Sequence, residues 1–483
     1  MASRKPRILV LGASGYIGSQ LLPLLAERGY HVTGAARQLD YLKARVVPRS
    51  NIELIYLDLA DAKATESEVM KHDQVLFLVH GMAHGHDFLD YELSLAINVK
   101  NALDNSQVQQ VIYLSALQPQ TADSTHLRAR RETGEILRQS QVPIVELRAG
   151  VIIGPGSAAY EIMRDFVLNL PVLITPQSVD SQANPIALEN LNFYITSLVQ
   201  ATVDKSVIYE VGGPDTLSYR QQFAVICQAH DRAFRIATTS LLTPGMASHW
   251  LSLVTSVPAS IGRALLAGLE HDFVANSRAI ERQFPQPLIS FEQAVAQSIA
   301  QDGDFVRSNV WGFDPAAVKR WQPGYGYYPK QAGASIETTA SLTSLWSIAS
   351  QLGSPQQGYF FANSLWRLRE WLDVLFGARR PIRRQPQGAE LQVGDFIDSW
   401  KVIRCEAPSF LSLLFGMKGP GLGRLEVQIE ELGDTRRLSV TAWWHPKGFR
   451  GLLYWFAMMP AHLFIFRGMV RAIAKKAMAL NQG

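Results

Sequence analysis

With only two cysteines, Cys227 and Cys405, the 483-residue chain can build neither a disulfide framework nor a cysteine-rich zinc site. It also has no charged segment running into an apolar stretch at its start, and the two features together point to a reducing, cytoplasmic setting. Charge of one sign is scarce. The formal net charge of +4 makes no case for nucleic acid as the main partner. Low-complexity tracts are missing too, and at this length two or three globular cores are expected. No apolar run reaches the ~20 uninterrupted residues of a spanning helix. The nearest, Gly451 to Phe466, is broken by Pro460 and reads as a buried or interfacial segment. Basic Arg467, Arg471, Lys475 and Lys476 follow it, so residues 451–476 are a candidate for peripheral contact with an anionic inner-membrane surface.

What the chain does have is a strand, a glycine-rich turn and a helix at Arg7 to Gly18. Ile8 to Leu11 are all apolar, as a parallel strand covered on both faces requires, and Ile17, Leu21, Leu22, Leu24 and Leu25 give the helix an apolar face. Gly12 permits a tight turn, Gly15 lets the backbone approach a pyrophosphate, and Gly18 lets helix and strand pack closely. Gly12, Ser14, Gly15, Tyr16, Ile17 and Gly18 thus form a candidate dinucleotide cradle, with the phosphates on the free amides and positive end of the helix.

Further strands are expected at His31 to Ala36, Glu53 to Leu57, Gln74 to Val79, Val111 to Leu114 and Ile144 to Leu147, with helices such as Tyr91 to Asn105 and His126 to Gln139 between them. The alternation implies an α/β fold with a doubly wound parallel Rossmann sheet. Residues 1–220 form this nucleotide-binding domain, and 221–330 a mixed substrate lobe ending in the linker-like Trp321 to Pro329. Residues 331–483 follow another grammar: an extended piece near Ala334, helices Ser341 to Gln351 and Asn363 to Phe376, four strand-like pieces from Phe396 to Trp444, and a final helix from Leu463 to Leu480. That order predicts an α+β helix-grip domain of the START and Bet v 1 type, a curved sheet around a helix that commonly encloses an apolar cavity.

The second strand ends Ala35-Ala36-Arg37, without the Asp or Glu that accepts a ribose 2′-hydroxyl. Arg37 therefore favours NADP, with NAD the alternative. Asp58 and Leu59 are placed to meet the adenine, and Val79, His80 and Gly81 to lie near the ribose or nicotinamide. His80, His84, His86 and Asp87 lack the paired helical spacing of a zinc motif and read as loop histidines beside a nucleotide, so no metal is expected. Ser115 closes the fifth strand, and His126 and Arg130 share one face of the next helix. These three are the catalytic candidates: an imidazole acting on a carbonyl oxygen, with a guanidinium lowering its pKa. The alternative is a solvated basic face of Arg128, Arg130 and Arg131.

Gly12 to Gly18, Ser115 and Gly154-Pro155-Gly156 resemble an atypical or extended short-chain dehydrogenase close to the NmrA-like group. His126 to Arg130, Asn184 to Ala187 and Tyr209 to Pro214 are similar to a bacterial subgroup, enterobacterial members included, in which this domain is fused to a C-terminal domain of unknown function. Gly394 to Trp400 and Pro460 to Met469 resemble that second domain. The resemblance implies NAD(P) binding through Gly12, Gly15 and Gly18 and a place for Ser115 beside the nicotinamide. Where carbonyl-reducing relatives carry Tyr-x-x-x-Lys, this chain has His126-Leu127-Arg128-Ala129-Arg130, and in NmrA-like relatives that loss accompanies a dinucleotide-sensing role. The leading expectation is an NADP-dependent oxidoreductase acting on a hydrophobic carbonyl or quinone-like small molecule. Its alternatives are a non-catalytic sensor and a lipid or hydrophobic-ligand carrier working through the C-terminal domain.

Overall fold

The computed structural model describes residues 5–80, 88–119, 124–233, 235–239, 251, 253–257, 262, 271–309, 320–322, 324–354, 356–375, 391–397, 400–416 and 419–480. The chain divides into two compact units, Met1–Gly312 and Phe313–Gly483. Residues 221–312 thus fall in the first unit, and 313–330 in the second.

In the first unit β1 (Arg7–Leu11), β2 (His31–Ala36), β3 (Ile52–Tyr56), β4 (Gln74–Phe77), β5 (Gln110–Ala116) and β6 (Ile144–Ala149) alternate with helices α1 (Tyr16–Glu27), α2 (Leu39–Arg45), α3 (Ala62–Val69), α4 (Phe88–Asp104) and α5 (Thr125–Leu137). All six strands pair in parallel, in the order β6-β5-β4-β1-β2-β3. A seventh parallel strand, Val207–Val211, joins outside β6. It was not foreseen from sequence. Only five residues long and separated from β6 by a long insertion, it has Ile208 turned to solvent as an edge strand allows, so its apolar signal is short and broken.

Alternation along β1 builds two cores. Ile8 and Val10 pack with Leu21, Leu22 and Leu25 of α1, while Leu9 and Leu11 pack with Leu95, Val99 and Leu103 of α4. The sheet is therefore covered on both faces, and the strand order reverses between β1 and β4, where such sheets open a crevice at their carboxyl ends.

The second unit is a separate six-stranded antiparallel sheet. Strand Lys330–Thr338 is followed by helices Leu342–Ala349 and Asn363–Leu375, then strands Phe396–Ile397, Trp400–Glu406, Phe410–Leu414, Gly421–Leu432 and Thr435–Pro446, and last the helix Gly448–Leu480. The first strand pairs with the last, and the others follow as a meander. Gly433, at φ +67°, takes the first central position of the two-residue turn joining the two longest strands, where a type II′ hairpin places glycine.

Two readings of this half are corrected. The final helix begins at Gly448, not near Leu463, and runs through Pro460. A proline inside a helix costs about 3 kcal/mol, but Leu452, Trp455, Ile465, Phe466, Met469 and Ile473 are buried on one side of this helix, while Pro460 sits at its solvent face. Tertiary burial outweighs the local penalty. The stretch Trp321–Pro329, expected as a linker, is tied to the sheet: the Gly326 N–H donates to the Pro446 carbonyl at 2.7 Å, and His445 Nδ1 lies 2.8 Å from the Gly326 carbonyl. Burial pushes the pKa of fully buried His445 down to about 3, so it is neutral at pH 7.

Candidate functional site

At the reversal point of the first unit the glycine turn behaves as its spacing requires. Gly12 has φ +85°, and a Cβ there would lie 3.1 Å from the backbone carbonyl of Leu78, the residue after β4. At Gly18 a Cβ would stand 2.5 Å from the Gly12 carbonyl oxygen and 2.8 Å from Ala13 Cα, so helix and loop touch backbone to backbone. Gly15 is the N-cap of α1 and has no side chain to occupy the first-turn amides. An anion at this end would meet the first-turn amides and the positive end of the helix dipole.

The turn opens into a cleft enclosing about 700 Å³, part of it open to solvent. Gly12, Ser14 and Gly15 form its floor, with Arg37, Asp58, Leu59, Val79 and His80 around it. Sequence reasoning placed all of these at the cofactor. Tyr16, Ile17 and Gly18 form the first turn of α1 directly after that floor. Gly81, His84, His86 and Asp87 lie outside the described residues.

Several further residues were missed. Tyr91 and Leu95 of α4 also line the cleft, and the Arg37 Nη1 donates to the Tyr91 hydroxyl at 2.8 Å. Arg45, the last residue of α2, donates from Nη1 to the Ser14 carbonyl at 2.5 Å, bringing a second guanidinium to the glycine loop. The only hint in the sequence was the basic end of a short helix directly after Arg37. Asp58 holds its own turn, accepting at Oδ1 from the Ala60 N–H at 3.0 Å.

Next to the cleft, the ends of β4, β5 and α5 bring the three catalytic candidates and His80 together. Ser124 caps α5, accepting from the Leu127 N–H, so His126 is not needed to start the helix. Ser115 Oγ is buried beside the Tyr113 hydroxyl. His126 Nδ1 is sealed, with no hydrogen-bond partner among the described residues, although the residue as a whole is only half-buried. Burial first, then the charges of Arg130 and His80, push the His126 pKa down to about 3.

Arg130 is not a solvated cation. It is 5% exposed, its Nη1 lies 3.4 Å from Oε1 of Glu92, itself 1% exposed, and the same nitrogen donates to the Val79 carbonyl at 3.2 Å. Its own carbonyl accepts from the Tyr113 hydroxyl at 3.1 Å. The guanidinium thus ties α5 to α4 and fixes the backbone just before His80. Nothing in the sequence marks Glu92 as its partner, because the pairing exists only once the two helices pack.

The low His126 pKa carries a pH dependence. A histidine of ordinary pKa near 6.5 when unfolded binds a proton that the folded state refuses until about pH 3, so stability falls as pH drops through that window. The slope is up to about 1.4 kcal/mol per pH unit. Urea unfolding between pH 7 and pH 4 should show a shallower loss for His126→Gln than for wild type. Equal slopes would contradict a neutral, sealed His126.

A parallel sheet with a glycine turn at its reversal point, an uncapped helix start and a cleft rimmed by Arg37 and Asp58 defines the class: a nucleotide-binding Rossmann domain. Residues 12–166 match the family model described as NAD(P)H-binding, and the chain carries an NAD(P)-binding Rossmann domain. Residues 331–469 match a family model described as "Protein of unknown function (DUF2867)". No curated protein matches the chain significantly. Among solved structures, the Bordetella bronchiseptica enzyme WbmG in complex with NAD and UDP is similar at 14% identity and TM-score 0.48, covering 62% of this chain and 94% of that one. UDP-glucuronic acid 4-epimerase from Bacillus cereus in complex with NAD is similar at 13% identity and TM-score 0.47, over 61% and 99% of the two chains. The epimerase Mth375 from Methanothermobacter thermautotrophicus is similar at 12% identity and TM-score 0.49, over 63% and 95%.

Proposed function

We propose that the chain is an NADP-preferring, atypical short-chain dehydrogenase that reduces a hydrophobic quinone-like or carbonyl substrate in the cytoplasm. The observation that carries the choice of cofactor is the end of β2. No carboxylate follows Ala36; Arg37 does, and Arg45 stands at the same glycine loop. Bidentate guanidinium groups suit a 2′-phosphate, and each charge-assisted bond to it contributes about 1.5–3 kcal/mol.

The glycine turn fits the group by the Cβ test at Gly12 and Gly18. The first-turn amides of α1 would hold its pyrophosphate, Asp58 and Leu59 its adenine end, and Val79 and His80 its nicotinamide end. Bound there, NADPH supplies a hydride. Ser115 can donate a hydrogen bond to the substrate oxygen. At pH 7 His126 is neutral and is not an imidazolium acid. Arg130 is a positioning residue, held by Glu92 and bracing Val79.

This donor set supports a quinone over a simple ketone. A ketone needs a proton on its oxygen as hydride arrives, whereas a quinone becomes a resonance-stabilised phenolate that takes its proton from water. Anaerobic mixing of the protein with NADPH and quinones, beside matched ketones, tests the reading through loss of the reduced nicotinamide absorbance. Oxidation by quinones is the expected result, and none with any acceptor would contradict it. If NADPH binds under those conditions and no acceptor is reduced, the non-catalytic sensor reading, favoured by the commitment of Arg130 to Glu92, takes its place.

We further propose that the second unit is a helix-grip domain, supported by its order of one strand, two helices, five antiparallel strands and a long helix. Such a domain would present an apolar small molecule. Mass spectrometry of an organic extract of gently purified protein should find one, and its absence would contradict this role.

A further inference from the structure

The helix Gly448–Leu480 has one side in the core of the second unit, where Trp455, Phe466, Met469 and Ile473 pack against the sheet. Its opposite side is a single exposed stripe that changes character halfway. Phe449, Leu453, Ala457 and Phe464 recur at helical spacing over the first part, and Arg467, Arg471 and Lys475 continue the same line. Phe449 is 51% exposed, Leu453 59% and Phe464 57%, more than single surface apolars in a row would ordinarily leave in water. Asp434 is the last acidic residue of the sequence, so no carboxylate on the helix balances this charge.

A second helix with exposed apolar side chains starts beside the stripe. The rings of Phe361 and Phe464 meet at 5.1 Å, which sets the start of Asn363–Leu375 beside the midpoint of the long helix. That shorter helix shows Leu368 and Trp371 to solvent at 54% and 61%, and its sequence runs on into Arg379, Arg380, Arg383 and Arg384. The apolar stripe of the long helix, continued by basic residues, matches the two layers of an anionic bilayer surface: acyl boundary below, headgroup phosphates above.

We propose that the second unit docks peripherally on an anionic lipid bilayer. Phe449, Leu453, Phe464 and Trp371 insert at the acyl boundary while Arg467, Arg471 and Lys475 engage headgroups. By length and composition the long helix could also cross a membrane. Crossing would pull Trp455, Phe466, Met469 and Ile473 out of the core, whereas peripheral docking leaves them buried. The proposal rests on this unit alone and stands apart from the dinucleotide reading.

Flotation of the full-length protein with vesicles of phosphatidylcholine alone, or of phosphatidylcholine mixed with phosphatidylglycerol, tests it. Wild type is expected to float with the anionic vesicles and to be released by salt. The pair Leu453→Ser and Phe464→Ser should weaken this partitioning at least about tenfold. Arg467→Gln, Arg471→Gln and Lys475→Gln should each weaken it about fivefold, on anionic vesicles only. All five side chains are exposed, and unchanged urea midpoints and far-ultraviolet dichroism will show that the variants fold.

Failure of wild type to float with either vesicle, or flotation indifferent to both sets of substitutions, would overturn the proposal. Resistance of the membrane-bound protein to alkaline carbonate would overturn it in favour of a span. A wild-type dimer that the apolar pair converts to monomer, without vesicle binding, would assign the face to a second copy.

Discussion

Arg130→Met is expected to destabilise the first unit by about 3–5 kcal/mol, because it removes a guanidinium paired with the buried carboxylate of Glu92. The same change removes the donor to the Val79 carbonyl and so loosens the backbone that leads to His80. A fall in dinucleotide affinity should accompany the lost stability. Replacing both partners, Glu92→Met with Arg130→Leu, should recover most of the stability, since two apolar side chains of similar volume leave no charge uncompensated. Urea unfolding of the single and double variants measures this directly. A single variant within about 0.5 kcal/mol of wild type would contradict the buried pair and return Arg130 to the role the sequence suggested, a guanidinium that lowers the His126 pKa.

Gly18→Ala is the second large effect. The new methyl would meet backbone on two sides, the Gly12 oxygen at 2.5 Å and Ala13 Cα at 2.8 Å, and no side chain there can swing away. The helix start must therefore shift off the loop, costing roughly 1–3 kcal/mol in stability. The amides that would face the pyrophosphate move with it. Losing two charge-assisted bonds corresponds to an affinity loss of about a hundredfold or more. Gly324→Ala serves as the contrast: it sits at φ +88° with nothing within 4 Å, so it meets backbone strain of about 1–2 kcal/mol and no clash. Isothermal titration with NADPH should find the first variant nearly inert and the second unchanged. Equal affinity in Gly18→Ala and wild type would contradict the cradle.

Local chemistry explains which features could be read in advance. The strand from Ile8 to Leu11, the glycine spacing and the end of β2 at Ala36 are each determined within a dozen residues, and a strand buried on both faces leaves an unmistakable apolar run. The cleft residues at the strand ends followed from that pattern, because parallel sheets bind ligands at their carboxyl edge. Residues defined by packing left no such trace. Tyr91, Arg45 and Glu92 reach the site from helices whose mutual placement is a tertiary fact, and Glu92 in isolation reads as one more helix-surface acid. The edge strand Val207–Val211 and the first half of the final helix were missed for related reasons. One has too few apolar residues to stand out, and in the other Pro460 argues locally against a helix that burial of Trp455 and Ile465 sustains.

The central claim is that the first unit holds NADP through the glycine turn and Arg37. Calorimetric titration of wild type and Arg37→Asp with NADPH and NADH, and with their oxidised forms, tests it most directly. Wild type should bind the phosphorylated pair about tenfold or more tighter than the unphosphorylated pair, from a single charge-assisted contact. Arg37→Asp should lose that preference. Tighter binding of NADH by wild type, or a preference for NADPH that survives Arg37→Asp, would contradict the account.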